Sequence, residues 1–355
     1  IKTGHEETVS KLSAVISGDE LQWSLGYRDM PRGKSSHSKV GDIINHVNSK
    51  ISMKGFLKDY CLPVLVYYGL DRGHTEIKYK EEWDNSRMGL AAYENCLDGT
   101  ADFNSFYHWY KFREVIENSR KVKSDHEYSD KQLDAVRSAL KKFKSLGAYS
   151  DIYIDLEASP QSLMIQKKIG RGKNIFLSIN QMSAGEKSLI TMVADIARRL
   201  ALTRKSDILK GNGVVLIDEI ELHLHPRWQT RVIDDLEKTF PNLQFIVTTH
   251  SPQVLNRTKC KSVYLLKQES KGIVSNGPIP LYGRESDEIL EMIFEEPRRP
   301  SNINKKLDKY FRLIDQNKLA EAKKIRLALE KEIGIRDPEF TRADALIRWR
   351  EILKK

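Results

Sequence analysis

Three short stretches between Ser183 and His250 hold residue types that could do chemistry. In the first, the apolar run Val214-Val215-Leu216-Ile217 ends in Asp218-Glu219. Alternation along a strand sends neighbouring side chains to different sides, so adjacent acids can serve different tasks. A strand that simply runs into an acidic loop has the same pattern. In the second, Phe245-Ile246-Val247 runs into Thr248-Thr249-His250-Ser251-Pro252. A histidine there can hydrogen-bond a terminal phosphate, although a lone histidine after a strand also serves structural ends. In the third, Gln181-Met182-Ser183-Ala184-Gly185-Glu186-Lys187-Ser188 places a serine three residues before a glutamate. That spacing is a capping box and starts a helix. The free N–H groups and the dipole of such a start form an anion site, and Gly185 lets a phosphate approach the backbone. Ordinary capped helices carry the same box.

Buried elements must position these residues. Strands are expected at Gln22–Tyr27, Pro63–Tyr68, Ile152–Leu156, Leu163–Lys167, Ile175–Ile179, Val214–Ile217, Gln244–Thr248 and Ser262–Leu266. Helices are expected over Val40–Met53, Ala184–Thr203 and Arg227–Thr239. Asp102–Ser119 carries Phe103, Phe106, Tyr107, Tyr110 and Val115 at helical spacing, and Ser129–Phe143 carries Leu133, Val136, Leu140 and Phe143. Alternation of strands and helices implies a parallel α/β sheet, and a short apolar strand that ends in acids suits its buried interior. Residues 75–146 are polar, aromatic and helical, the texture of an insertion that interrupts a sheet. They divide the chain into 1–74, 75–146, 147–294 and a tail at 295–355. In the tail, Glu295–Pro300 reads as a linker, followed by helices with Leu307, Tyr310, Phe311 and Ile314 on one face and Ala322, Ile325, Leu329 and Ile333 on another. Asp337-Pro338 opens a last helix.

The totals narrow the class. The 355 residues include 59 Lys and Arg against 49 Asp and Glu, a net charge of +10. That surplus favours phosphate-bearing partners through counterion release, and a lysine-rich solvated surface explains it equally well. No apolar run long enough to span a membrane occurs, and the N-terminus shows no apolar signal region. Cys61, Cys96 and Cys260 lie far apart, which argues against a disulfide framework or zinc site and fits a reducing cytosol.

The order of the three stretches resembles the ABC-type ATPase family of the RecF/SMC-like kind. The implied fold is α/β: an ABC-type P-loop ATPase head with a parallel sheet core, a helical insertion and a C-terminal helical tail. The resemblance implies ATP and Mg²⁺ held between the two subunits of a homodimer. Ser183, Gly185 and Glu186 form the signature, with Ser183 and Gly185 touching the γ-phosphate of the partner subunit's ATP; Ala184 stands where the family has a glycine. Asp218 orders the Mg²⁺ water, Glu219 is the general base, and His250 is the switch. Glu219–Gln229 resembles the D-loop of the chromosomal and defence branch, which places His225 at the dimer seam near nucleotide; its His-Leu-His is not read as a metal site. Tyr67–Arg72, Phe106–Asn118, Leu281–Glu285 and Glu295–Pro300 resemble the PtuA ATPase subunit of Septu anti-phage defence and its retron-associated relatives. In that family Arg72 falls at a Q-loop position and counts among the nucleotide-binding residues. The implied partner is an HNH nuclease subunit, PtuB, with DNA or a retron DNA–RNA hybrid as a further candidate.

No phosphate-binding loop of the form GxxxxGK[ST] is present. The stretch Gly26–Ser35 fails the spacing because Arg28 stands at the first glycine, so Gly33-Lys34-Ser35 is read as a coincidence in a basic loop. An upstream segment outside this sequence is the favoured explanation. Neither an HNH arrangement nor a Toprim set of acids is visible, so cutting belongs to a partner. The alternatives are a DNA-repair or chromosome-maintenance ATPase without a nuclease, whose insertion at 75–146 would touch DNA, and an inactive ATPase-like scaffold.

Overall fold

The computed structural model describes residues 7–16, 19–30, 33–39, 62–78, 83, 90–123, 126–143, 149–169, 173–257, 263–270 and 272–353. Glu7–Ile16 (β1), Asp19–Met30 (β2) and Gly33–Lys39 (β3) form an antiparallel meander, with Ile16 opposite Asp19 and Met30 opposite Gly33. Gly33-Lys34-Ser35 therefore opens a strand and does not lie in a loop. Its backbone is committed to pairing with β2. The helix expected over Val40–Met53 lies outside the described residues.

The central sheet is built from three five-residue strands: Val64–Tyr68 (β4), Gly213–Ile217 (β8) and Leu243–Val247 (β9). They run parallel with β8 in the middle, so Val215 pairs with Val66 on one side and Phe245 on the other. Gly213 allows β8 to start against β4, because a Cβ there would sit 2.1 Å from the Val64 carbonyl oxygen. One face is dry: Val64, Val66, Tyr68, Val215 and Ile217 are buried. On the alternate positions Leu65 is 42% exposed and Ile246 52% exposed. These strands are thus half-buried among the described residues, where continuous apolar runs lead one to expect cover on both faces.

Phe103–Lys123 (α1) and Lys131–Lys142 (α2) pack beside this core. Asp130 caps α2 by accepting from the N–H groups of Gln132 and Leu133. Leu133, Val136, Leu140 and Phe143 are all buried. In α1 the buried run is Phe103 and Phe106–Tyr110, whereas Val115, expected on the same stripe, is half exposed. Tyr149–Asp155 (β5), Ser162–Ile169 (β6) and Lys173–Ser178 (β7) form an antiparallel sheet. Ala184–Thr203 (α3) follows, and from Ser188 to Thr203 every residue is buried. Such burial all round marks a core helix. The amide of Gln132 donates to the Ala201 carbonyl, tying α2 to α3.

A single helix is expected over Arg227–Thr239, but two form: Pro226–Gln229 (α4) and Val232–Thr239 (α5). The break falls beside Thr230, a β-branched residue of weak helix propensity. The chain divides into two compact units, residues 1–228 with 234–248, and 229–233 with 249–355. The second holds Pro252–Arg257 (α6), a hairpin of Leu265–Glu269 (β10) with Gly272–Asn276 (β11), and Ser286–Ile293 (α7) around Leu255, Leu281, Ile289 and Ile293. Ser301–Asp315 (α8), Leu319–Ile333 (α9) and Pro338–Leu353 (α10) enclose their own core of Leu307, Tyr310, Ile314, Ala322, Leu329 and Phe340. Asp337 caps α10 at Glu339 N–H and holds Arg299 through two hydrogen bonds.

Candidate functional site

The parallel strands deliver their C-terminal ends to one place. Asp218 follows β8, and its N–H donates 2.8 Å to the Tyr68 carbonyl at the end of β4. Thr248 follows β9, and its N–H donates 2.9 Å to the Ile217 carbonyl. The Thr248 hydroxyl then accepts from the Glu219 N–H at 2.8 Å and donates to the Asp218 carboxylate. One hydroxyl thus holds the Asp218 carboxylate and the backbone of Glu219. The Thr248 carbonyl also accepts from the Ile220 N–H at 3.1 Å. Asp218 and Glu219 are half-buried while Thr248 is exposed, so the cluster opens to solvent.

The turn after β8 is unusual in its backbone. Glu219 has φ +42° and His223 φ +64°, the left-handed region that costs an ordinary side chain energy. The guanidinium of Arg72 lies beneath this turn and is 1% exposed. It donates to the carbonyls of Gly69 (2.9 Å), Asp218 (2.6 Å), Glu219 (2.6 Å) and Ile220 (3.3 Å). Burial pulls its pKa down, against the pull of Glu221, Asp218 and Glu219. Placed in the nucleotide-binding set by sequence, Arg72 here directs these four hydrogen bonds to the backbone of its own chain.

The helix start at Ser183 has the expected box in full. Ser183 accepts from the Glu186 N–H, and the Glu186 carboxylate takes the Ser183 N–H at 3.1 Å and hydroxyl at 2.9 Å. The other Glu186 oxygen receives Tyr149 at 2.8 Å and Lys167 at 2.6 Å, which clamps β5 and β6 to the helix. Burial opposes ionisation of Glu186, yet the bonds from Lys167, Tyr149 and Ser183 prevail and draw its pKa down to about 2. Its stabilising charge is therefore complete above the usual carboxylate range and fades as pH falls toward that value. Glu186 is thus occupied within its own subunit. Ser183 and Ala184 are exposed, and Gly185 is buried. A Cβ at Gly185 would lie 2.4 Å from the His223 carbonyl oxygen, so this glycine also lets the turn after β8 rest on the helix start.

His225 is exposed, its Nδ1 accepts from the Arg227 N–H at 3.2 Å, and its ring lies 6.5 Å from that of Trp228. His250 follows Thr248 by two residues and belongs to the second unit, where its exposed ring lies 6.3 Å from Phe294. Among the described residues, no group of three His, Cys, Asp or Glu side chains gathers as a metal cage. Mg²⁺ in nucleotide sites takes only one or two carboxylates with phosphate and water oxygens, so a site for it does not require such a cage. Sequence reading passed over Thr248; the signal available was a hydroxyl at the end of the strand beside the acids.

Residues 74–256 match the family described as "AAA domain, putative AbiEii toxin, Type IV TA system". The chain belongs to this AAA domain family. Its architecture is the α/β head of an ABC-type ATPase, with the parallel β4–β8–β9 sheet and C-terminal helices. The AAA domain chain is 31% identical over 377 residues to "Retron Ec83 probable ATPase" of Escherichia coli, covering 87% of this chain and 66% of that protein. It is 34% identical over 256 residues to "Retron Vc95 probable ATPase" of Vibrio cholerae serotype O1 biovar El Tor, covering 58% of this chain and 48% of that protein. A shorter match, 32% over 133 residues, joins it to "Septu protein PtuA" of Bacillus thuringiensis, with 34% of each chain covered. The chain spans less than two thirds of the length of each of these relatives. No described helix is long and apolar enough to cross a membrane.

Proposed function

We propose that this chain is the ATP-hydrolysing head of an anti-phage defence complex, working as a homodimer with ATP and Mg²⁺ between subunits and controlling a partner HNH nuclease. One observation carries the reading: Asp218 and Glu219 stand at the end of the central parallel strand with the Thr248 hydroxyl bonded to both. Carboxylates at the ends of parallel strands are where such sheets place ligands. The names of the retron and Septu relatives support the defence context.

Bound nucleotide with its cation supplies a phosphoanhydride activated for attack by water. Asp218 would hold the cation through a bound water, and the Thr248 hydroxyl, bonded to that carboxylate, would fix its orientation. Glu219 takes the proton from the attacking water. Ser183, with the N–H groups of the α3 start, receives the γ-phosphate of the partner subunit's nucleotide. His250 reports whether that phosphate is present. His225 sits at the seam between subunits. The packing of α1 and α2 against α3 favours this reading over one in which residues 75–146 form a free DNA-touching arm.

The helices α8–α10 form a separate core after Pro300 and are the proposed dock for the nuclease. Deleting residues 301–355 from the full-length protein is expected to abolish co-purification of the nuclease while dimerisation, read by light scattering, survives. Retained co-purification would sink the docking assignment.

A further inference from the structure

We propose that Arg72 is a positioning residue for hydrolysis: it holds the turn that carries Asp218 and Glu219 in its left-handed form and ties that turn to the signature helix. The inference rests on the ATPase reading above and adds a component to it. Three observations converge. First, Arg72 hydrogen-bonds the carbonyls of Asp218, Glu219 and Ile220, three consecutive residues that include the one at φ +42°. A left-handed glutamate persists only where its surroundings over-determine it. Second, the Arg72 backbone meets α3, because the Thr191 hydroxyl reaches the Arg72 carbonyl at 2.7 Å, its one proton shared with the Lys187 carbonyl at 2.8 Å and the Ser188 carbonyl at 3.2 Å. Third, Ser188, Thr191 and Asp195 lie at helical spacing along one buried face of α3, and they meet the end of β4 in turn. Ser188 packs 3.6 Å from the Cβ position of Gly73, Thr191 bonds Arg72, and Asp195 accepts from the Tyr68 hydroxyl at 2.9 Å. The same Tyr68 accepts the Asp218 N–H on its carbonyl.

The helix whose start meets one nucleotide is thus bonded, through Tyr68–Gly73, to the acids that serve the other nucleotide. Arg72 is the one side chain in that segment that reaches the acid turn by several bonds. Lysine cannot replace it, because a single ammonium lacks the planar fork that meets several carbonyls together. The role needs no contact with ATP, which separates it from a nucleotide-binding arginine.

Arg72→Lys and Thr191→Val in the full-length protein test this, with steady-state ATP hydrolysis, binding of a fluorescent ATP analogue and thermal melting as readouts. For Arg72→Lys, kcat is expected to fall about 100-fold, the cost of misplacing a catalytic group by a small distance. KM and analogue affinity are expected to stay within about threefold, the mark of an interaction that matters only in the transition state. Thr191→Val keeps the side-chain shape and is expected to lower kcat several-fold with KM unchanged. Combined with Glu219→Gln, Arg72→Lys is expected to add no further loss, because both act on one group. A rise in KM with kcat intact would overturn the inference and return Arg72 to the nucleotide. Unchanged kcat in Thr191→Val would overturn it too, including the case in which Arg72→Lys fails to fold. If the unaltered protein hydrolyses no ATP, the ATPase reading fails and the inference falls with it.

Discussion

Glu219→Gln is expected to lower ATP turnover by about a thousandfold, the middle of the range for losing a general base. ATP should still bind, and ATP-bound dimers should accumulate. The amide keeps the shape of the carboxylate but cannot accept the water's proton. The backbone of the turn should be unmoved, because Thr248 and Arg72 bond the N–H and C=O of residue 219 and leave its side chain alone. The test is single-turnover hydrolysis beside analytical ultracentrifugation with and without ATP. Turnover within a few-fold of the unaltered protein would assign the base elsewhere. An inactive scaffold would show neither turnover before the change nor trapped dimers after it.

Asp195→Ala is expected to cost roughly 3–5 kcal/mol of stability, the scale for breaking a buried ion pair from one side. Asp195, Arg198 and Arg199 are fully buried. One carboxylate oxygen takes Arg198 through two bonds, and the other takes Arg199 and the Tyr68 hydroxyl. Arg199 also donates to the carbonyls of Ala92 and Glu94. Without the carboxylate, two guanidinium groups remain in the core with their charge unmatched. Burial works against ionisation of Asp195, but Arg199 and Arg198 outweigh it and hold the pKa below the usual carboxylate range. A depressed folded pKa means the contribution is whole at neutral pH and is lost as acid protonates the group. Urea denaturation at neutral pH measures the loss. A change below about 1 kcal/mol would show that the arginines are neutralised otherwise, since truncating one partner of a charged buried pair exceeds an ordinary hydrogen bond.

How much of this could be read beforehand depended on whether the signal was local. Val214–Ile217 and Phe245–Val247 announce strands by apolar runs, and Ser183 with Glu186 announces a helix start by spacing, because each rule acts within a few residues. The α10 start at Asp337-Pro338 is of the same kind. Contacts that close over long separations were not legible. Arg72 and Glu219 are 147 residues apart, and nothing near either marks the other. Thr248 looked like a strand residue until β9 was laid beside β8, which brings its hydroxyl to Asp218. Only one strand of the β10–β11 hairpin is expected: Leu265–Glu269 overlaps Ser262–Leu266, while in Gly272–Asn276 the apolar pair Ile273-Val274 is too short a run to mark a strand. Spacing alone ties Gly185 to phosphate approach, but its own-chain neighbour, the His223 carbonyl, also forbids a side chain there.

The proposed ATPase site is shared by two copies of the chain, each giving its α3 start to the other's acids. The most direct test mixes two full-length variants that are inactive alone, Ser183→Arg and Glu219→Gln, after dissociation and reassembly. In a mixed dimer, the intact Glu219 of the first faces the intact Ser183 of the second, so one complete site forms. Recovery of ATP hydrolysis on mixing is the expected result. A mixture that forms heterodimers and stays inactive would contradict the shared site and place the whole of any activity within one chain.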